Sequence, residues 1–227
     1  MKKLLILCLS ILFFSTTSNA WERAGGINLQ YAGIDTTVTD DIDNNGGTAD
    51  TTKDITNNVG IPSLFIEGTT KLGIGNGTLT VGIDYIPFEA EFDSRSTTQS
   101  SLKAKGDGAA TSGTNSGTVN VSSHLTFYLQ PGVQINDETT VFGTLAFVTA
   151  DAEAEVVSVS STNKNETHNL EGTKLGVGIK RDTNFGFMKL EFATTDYDPI
   201  SVVTSNNTKV TGDIDNTGLT LSLGKSF

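Results

Sequence analysis

The residues that could carry chemistry in this chain are few. The histidines are His124 and His168. Ser122 lies two residues before His124, so in a regular strand the two would share a side, the minimum for a nucleophile beside its base. A third, orienting group is not apparent, and His168 stands in a polar stretch with Asn165 and Glu166, where a solvated side chain is the default. No enzyme is expected. A hard cation has a better-spaced partial motif: Asp41, Asp43, Asn45 and Gly46 open a loop of the form D-x-[DN]-x-[DN]-G. The match then fails, because position twelve is Thr52 rather than Glu, so Asp41, Asp43 and Asn45 are weak metal candidates and a solvated acidic loop is the expectation. Gly73, Gly75 and Gly77 form a hairpin pattern with no helix after it to hold an anion, and no cofactor is expected.

What remains is a set of charges spaced along alternating segments. Between Val119 and Ile135 the odd positions read Val, Val, Ser, Leu, Phe, Leu, Pro, Val, Ile, and the even ones are mostly polar. Seventeen residues of period-2 alternation exceed the 5–6 typical of soluble strands and suit a tilted strand crossing a bilayer. Similar segments lie near residues 24 to 35, 61 to 74, 78 to 92, 118 to 135, 140 to 154, 170 to 181, 185 to 197 and 214 to 227. The stretch from Val141 to Val148 is ambiguous, being apolar on both parities except at Thr144 and the glycine. Short turns at 75–77, 136–139 and 182–184 alternate with polar connections near 36 to 60, 93 to 117, 155 to 169 and 198 to 213. Eight strands joined in this way predict an all-β fold, an eight-stranded antiparallel up-and-down transmembrane β-barrel with short periplasmic turns and long external loops. Ten strands result if residues 40 to 56 or 100 to 117 hide a hairpin.

The N-terminus predicts the compartment. Lys2 and Lys3 precede an apolar run from Leu4 to Phe14, then Ser18-Asn19-Ala20, the pattern of a cleavable signal peptide over residues 1–20. Residues 21–227 then form one barrel domain. Cys8 falls inside the leader, so the mature chain carries no cysteine chemistry. Without Lys2 and Lys3, 13 basic residues face 26 acidic ones, which argues against nucleic acid as a partner. The first long connection, residues 35 to 60, has six Asp against Lys53.

The last segment places Leu219, Leu221, Leu223 and Phe227 on one parity, with Gly218, Thr220, Ser222, Gly224 and Ser226 on the other. Here the chain resembles the small bacterial outer-membrane barrels, the opacity-like and OmpA-like eight-stranded membrane domains. The resemblance implies that Leu219, Leu221, Leu223 and Phe227 form the signal read by the barrel-assembly machinery. It also implies a Gram-negative outer membrane, with both termini periplasmic. Lys225 departs from the pattern, standing where an apolar or aromatic residue is usual. A fainter internal echo sets Glu67 to Gly75 beside Glu171 to Gly178, and Asp84-Tyr85-Ile86-Pro87 beside Asp196-Tyr197-Asp198-Pro199.

Turning each apolar parity to lipid leaves a polar interior of Glu67, Lys71, Asp84, His124, Tyr128, Gln130, Lys174, Lys180, Lys189 and Glu191. An eight-stranded barrel is only wide enough to be filled by its side chains, so these charges are expected to pair into a plug. Tyr31, Tyr85, Phe127, Phe147, Phe185 and Phe192 are candidates for interfacial aromatics, and Pro131 is expected at a bulge or at the rim. The function expected is structural or surface-interacting, with lipid, lipopolysaccharide, an external ligand or phage as partners. The alternatives are a narrow channel for ions or small solutes, and a soluble secreted barrel.

Overall fold

The structure, a computed structural model, describes residues 21–41, 51–73, 75–102, 111–157, 164–203 and 209–227. The leader segment, Asp43 and Asn45 lie outside the described residues. Ten strand segments follow one another: β1 Glu22–Asp41, β2 Thr51–Lys71, β3 Gly77–Tyr85, β4 Ala90–Leu102, β5 Thr111–Asn136, β6 Thr139–Val157, β7 Lys164–Thr183, β8 Gly186–Tyr197, β9 Ile200–Val203 and β10 Lys209–Ser226. They make eight staves, because β3 and β4 lie end to end along β5, and β8 and β9 lie end to end along β10. Each stave is antiparallel to its neighbours, and β1 pairs with β10 to close the barrel. The eight-stranded expectation holds, with ten segments arising from two interruptions rather than from an added hairpin.

The register fixes the width. Following the pairing round from Gly25 through Ile66, Ile83, Phe127, Phe147, Thr173, Asp196 and Asp215 returns to β1 at Asp35, ten residues further along. With ordinary strand rise and spacing, that stagger over eight staves gives a tilt of roughly 40° and a backbone radius of roughly 8 Å. Such a cylinder has room for side chains and little else.

The strands run further than the alternation of apolar residues showed. β5 has 26 residues and β2 has 21, where about ten residues of tilted strand suffice to cross a membrane. Much of what read as loop at 36 to 60, 93 to 117, 155 to 169 and 198 to 213 is therefore strand. His168 is within β7, opposite Ala152, and is not a loop residue.

The apolar belt explains why the outer cue stops. On β1 Ile27, Leu29 and Tyr31 face outward, followed on the same face by Gly33 and Asp35. β6 repeats this with Val141, Leu145 and Phe147, then Thr149 and Asp151; β8 with Met188, Leu190 and Phe192, then Thr194 and Asp196; β10 with Leu223, Leu221 and Leu219, then Thr217 and Asp215. Above that boundary the inward face becomes apolar. Ala32, Ile34, Val148, Ala150, Ala152 and Leu170 are all buried there. The sheet thus exchanges its dry and wet faces as it leaves the belt.

That exchange resolves the ambiguity at Val141 to Val148: the strand changes its apolar face from outward at Phe147 to inward at Val148. It also corrects the reading of residues 119 to 135 as one uninterrupted face. A bulge places Ser123 and His124 opposite the single residue between Thr149 and Asp151, and Ser123 takes a φ of 53°. The extra residue shifts the phase, so Val121 is buried inside while Leu129, Val133 and Ile135 face out. Odd positions stay apolar only because bulge and belt boundary coincide. Pro131 itself keeps the register and pairs with Leu79, and the irregularities fall at Ser122/Leu125 and Gln134/Asn136 instead.

Two prolines split the wall. β2 and β3 pair up to Leu64 and Tyr85 and then separate. Continued register would set Pro62 against Pro87, and neither has an N–H to donate. β7 and β8 likewise pair up to Gly172 and Tyr197, where Asp198-Pro199 follows. Above these points the upper walls form two sheets, β9-β10-β1-β2 and β4-β5-β6-β7, with the apolar cluster of Val121, Val148, Ala150, Ala152, Leu170 and Tyr197 enclosed. The two Asp-Tyr-x-Pro segments thus occupy the two splits, although Tyr85 is exposed and Tyr197 buried. The Glu67 and Glu171 stretches are not equivalent: Gly73 and Gly75 lie beyond the end of β2, and Gly176 to Gly178 lie within β7.

Candidate functional site: the barrel interior

The interior is stacked in three levels. Nearest the short turns lies an aromatic level whose architecture follows from glycines. Phe65 pairs with Gly26, Tyr128 with Gly82, Phe142 with Gly178 and Phe187 with Gly224. Each ring lies over its partner, where an added Cβ would sit within 2.7 Å of ring atoms. A glycine opposite each aromatic lets a wide ring lie along the wall of a narrow cylinder.

Lys189 enters the middle of these rings. Its Nζ is 5.5 to 5.8 Å from the centroids of Phe65, Tyr128, Phe142 and Phe187, a distance at which ring quadrupoles attract a cation. Buried charge also needs a counterion, and Lys189 pairs with Glu67, which is 0% exposed. Tyr128 donates its hydroxyl to the same carboxylate at 2.7 Å, and Lys189 donates to Gln130 Oε1 at 3.0 Å. From there the network climbs to Glu191, which accepts from Gln130 Nε2 at 3.0 Å and from Thr144 at 2.8 Å and pairs with Lys174. Lys180 pairs with Asp182 at 3.1 Å and stands 4.4 Å from the Phe187 ring centroid.

Two small polar cavities adjoin this network, one of about 30 Å³ among the ion pairs, lined by Lys189, Glu191 and Lys174, and one of about 20 Å³ above them, lined by His124 and Tyr197. Asp84, Thr126 and Lys174 line both. Asp84 accepts from Asn28 Nδ2 at 2.7 Å. Their size and polarity suit one or two water molecules each, not a continuous aqueous path. The third level is the apolar cluster of the upper sheets, and at its base His124 Nε2 meets the Tyr197 hydroxyl at 3.0 Å across the barrel.

Of the residues expected to line the interior, Glu67, Asp84, Lys174, Lys189 and Glu191 come together in this stack, with His124 above it and Lys180 towards the short-turn end. Lys71 is exposed at the last residue of β2, where the chain leaves the wall for the turn. Phe65, Phe142 and Phe187 are buried inside, against the rule that turns apolar side chains to lipid. The glycine opposite each stands across a long connection (Gly26 for Phe65, Gly178 for Phe142, Gly224 for Phe187), so no tight turn sets that register locally. Tyr31, Tyr85, Phe147, Phe185 and Phe192 are exposed on the outside, and Phe127 is partly exposed. Leu219, Leu221 and Leu223 face outward, Lys225 is exposed, and Phe227 donates its N–H to the Arg23 carbonyl at 2.9 Å.

A nucleophile–base pair is not assembled at Ser122 and His124. The bulge separates them: Ser122 pairs with outward-facing Asp151, whereas His124 turns inward to Tyr197. Among the described residues no cluster of three or more metal-ligating side chains is present, and Asp41 closes β1 opposite Lys209.

No protein-family model and no curated protein sequence matches the chain. Among solved structures it is similar to Ail, the attachment invasion locus protein of Yersinia pestis, at 12% identity over 88% of this chain and 99% of that one, with a TM-score of 0.35. It is similar also to the outer membrane protease OmpT of Escherichia coli, at 10% identity over 94% of this chain and 100% of that one, TM-score 0.47. Neisserial surface protein A is a third, at 8% identity, 90% and 99% coverage and TM-score 0.34. Closed staves, an apolar outer belt and a charged, filled interior make this chain an eight-stranded transmembrane β-barrel of the outer-membrane type.

Proposed function

We propose that the protein is a non-conducting, non-catalytic barrel of a Gram-negative outer membrane whose working part is the polar-faced extension beyond the lipid belt. The observation that carries this reading is the enclosure of the ion-pair level between an aromatic level below and an apolar cluster above. An ion entering from the extension meets the apolar cluster, one entering from the short-turn end meets the Lys180–Asp182 pair and then the rings packed round Lys189, and a hydrated ion does not fit the cavities between them. On this reading residues 1–20 are removed, both termini are periplasmic, and the outward strand of Leu219 to Phe227 is the surface met by the assembly machinery. The extension, with exposed Asp35, Asp54, Asp196 and Asp215, faces lipopolysaccharide, phage or another external ligand.

The test is conductance of the refolded mature chain in planar bilayers, after SDS gels with and without boiling have shown a heat-dependent mobility shift. The reading expects the shift and no unitary current. Steady single-channel steps that disappear with Lys189→Met would establish the channel alternative. A protein soluble without detergent and lacking the shift would overturn the membrane assignment.

A further inference from the structure

The split between β2 and β4 leaves a sheet edge in an unusual position. β4 pairs with β5 along one side, and no described strand pairs with its other side. β2, the stave that would cover it, stays with β1 as far as Thr51 but leaves β3 at Leu64, two residues before continued register would set Pro62 against Pro87. The edge is 13 residues long, contains no proline, keeps an even register with β5 over Asp93–Gln99 between irregularities at Glu91/Asp93 and Gln99/Leu102, and rises beyond the apolar belt. Sheet edges of this length are normally covered, shortened or broken, because a row of free amide and carbonyl groups templates another strand.

We propose that the β4 edge, Ala90–Leu102, is a docking surface for an extended polypeptide segment carrying basic residues, which joins the sheet as a further strand. The proposal rests on the surface-interaction reading above and names the partner. In an antiparallel pair successive residues direct both backbone groups first towards one side and then towards the other. The edge therefore presents a donor and an acceptor at every second residue, roughly 7 Å apart, a repeat that an extended backbone matches and a lipid headgroup or sugar does not. Charge selects the sequence of the guest. Asp35 and Asp54 are exposed on the β1–β2 wall across the split. Lysine or arginine on alternate guest positions would complement that wall, with screening by salt.

The test uses the mature protein refolded in detergent micelles and a short synthetic peptide of alternating lysine and threonine, read by hydrogen exchange of the β4 amides. Every second amide between Asp93 and Gln99 is expected to slow by about tenfold or more when the peptide is present, because a bonded amide exchanges only on opening. A backbone N-methylated copy of the peptide, with unchanged charge, is expected to give no protection. Ser96→Pro and Thr97→Pro separate the two sides of β4, since adjacent residues donate in opposite directions: one change abolishes protection with the heat-dependent gel shift intact, and the other disturbs the β5 pairing. Equal protection by the N-methylated peptide, protection by lipopolysaccharide vesicles in place of the peptide, or no protection at all would each overturn the proposal. Silence in the exchange assay together with zero conductance would remove the edge and leave the closed barrel standing.

Discussion

The belt and the extension of this barrel are built from the same eight staves, yet they solve opposite solvation problems. Within the belt, Leu219, Leu221 and Leu223 face out and Thr220 and Ser222 face in; beyond it, Asp213 and Asp215 face out and Ile214 faces in. Lipid rewards apolar surface on the outside and leaves the interior to hydrogen-bonded charge, whereas water on the outside returns the apolar residues to the core. The difference teaches that strand parity alone does not assign a face. The same parity is buried or exposed according to the medium at its height along the axis.

The largest effect is expected in the ion-pair level. Lys189→Met would leave Glu67 buried without its cation, and a loss of about 3–5 kcal/mol in urea unfolding from lipid vesicles is expected, most of it recovered in the double variant with Glu67→Gln. If the single and double variants unfold alike, the pair is not the element that makes this level costly to disturb. The outer faces come next. Leu221→Lys and Thr217→Lys lie four residues apart on one face of β10, and the first is expected to cost about 2–4 kcal/mol while the second stays within about 0.5 kcal/mol. Equal losses would erase the boundary between belt and extension.

A smaller effect tests the aromatic level. Gly82→Ala brings a methyl group to 2.3 Å from the Tyr128 ring and should cost about 1–3 kcal/mol, whereas Gly60→Ala in the upper part of β2 meets nothing within 4 Å and should be nearly silent. Smallest of all, Ser123→Gly relieves the φ of 53° but adds unfolded-state freedom, two terms of about 1 kcal/mol that oppose each other, so stability is expected to hold within about 0.5 kcal/mol. Ser123→Val at the same site should be distinctly worse, and a neutral result there would show that the bulge is not held at that residue.

How far the sequence could be read varied with what each cue measures. Alternation located the staves because lipid and interior select opposite side chains at successive residues, and it failed at residues 36–41 and 51–60 because Val38, Ile55 and Val59 are too sparse among Thr, Asn and Asp to show a period. The charges of the interior were legible by the same rule, and Glu67, Lys174, Lys189 and Glu191 do meet. Their partners were not legible, since Glu67 and Lys189 are separated by 122 residues and only closure of the barrel brings them together. The interior Phe65, Phe142 and Phe187 escaped because hydrophobicity carries no information about which side a ring occupies when its neighbour is glycine.

By itself the sequence determined that the chain is all-β, how many staves it makes and where its tight turns fall, because period-2 alternation and turn chemistry act locally. The tertiary structure alone decided the ten-residue stagger, which sets the radius, and with it whether the charges fill the interior or line a passage. It also decided that β2 and β3 part after Leu64 and Tyr85, before their register would set Pro62 against Pro87, and that the bulge at Ser123 changes the face of a strand whose alternation never falters. Those outcomes depend on which residues stand opposite one another, and opposition is a property of register, which no single strand contains.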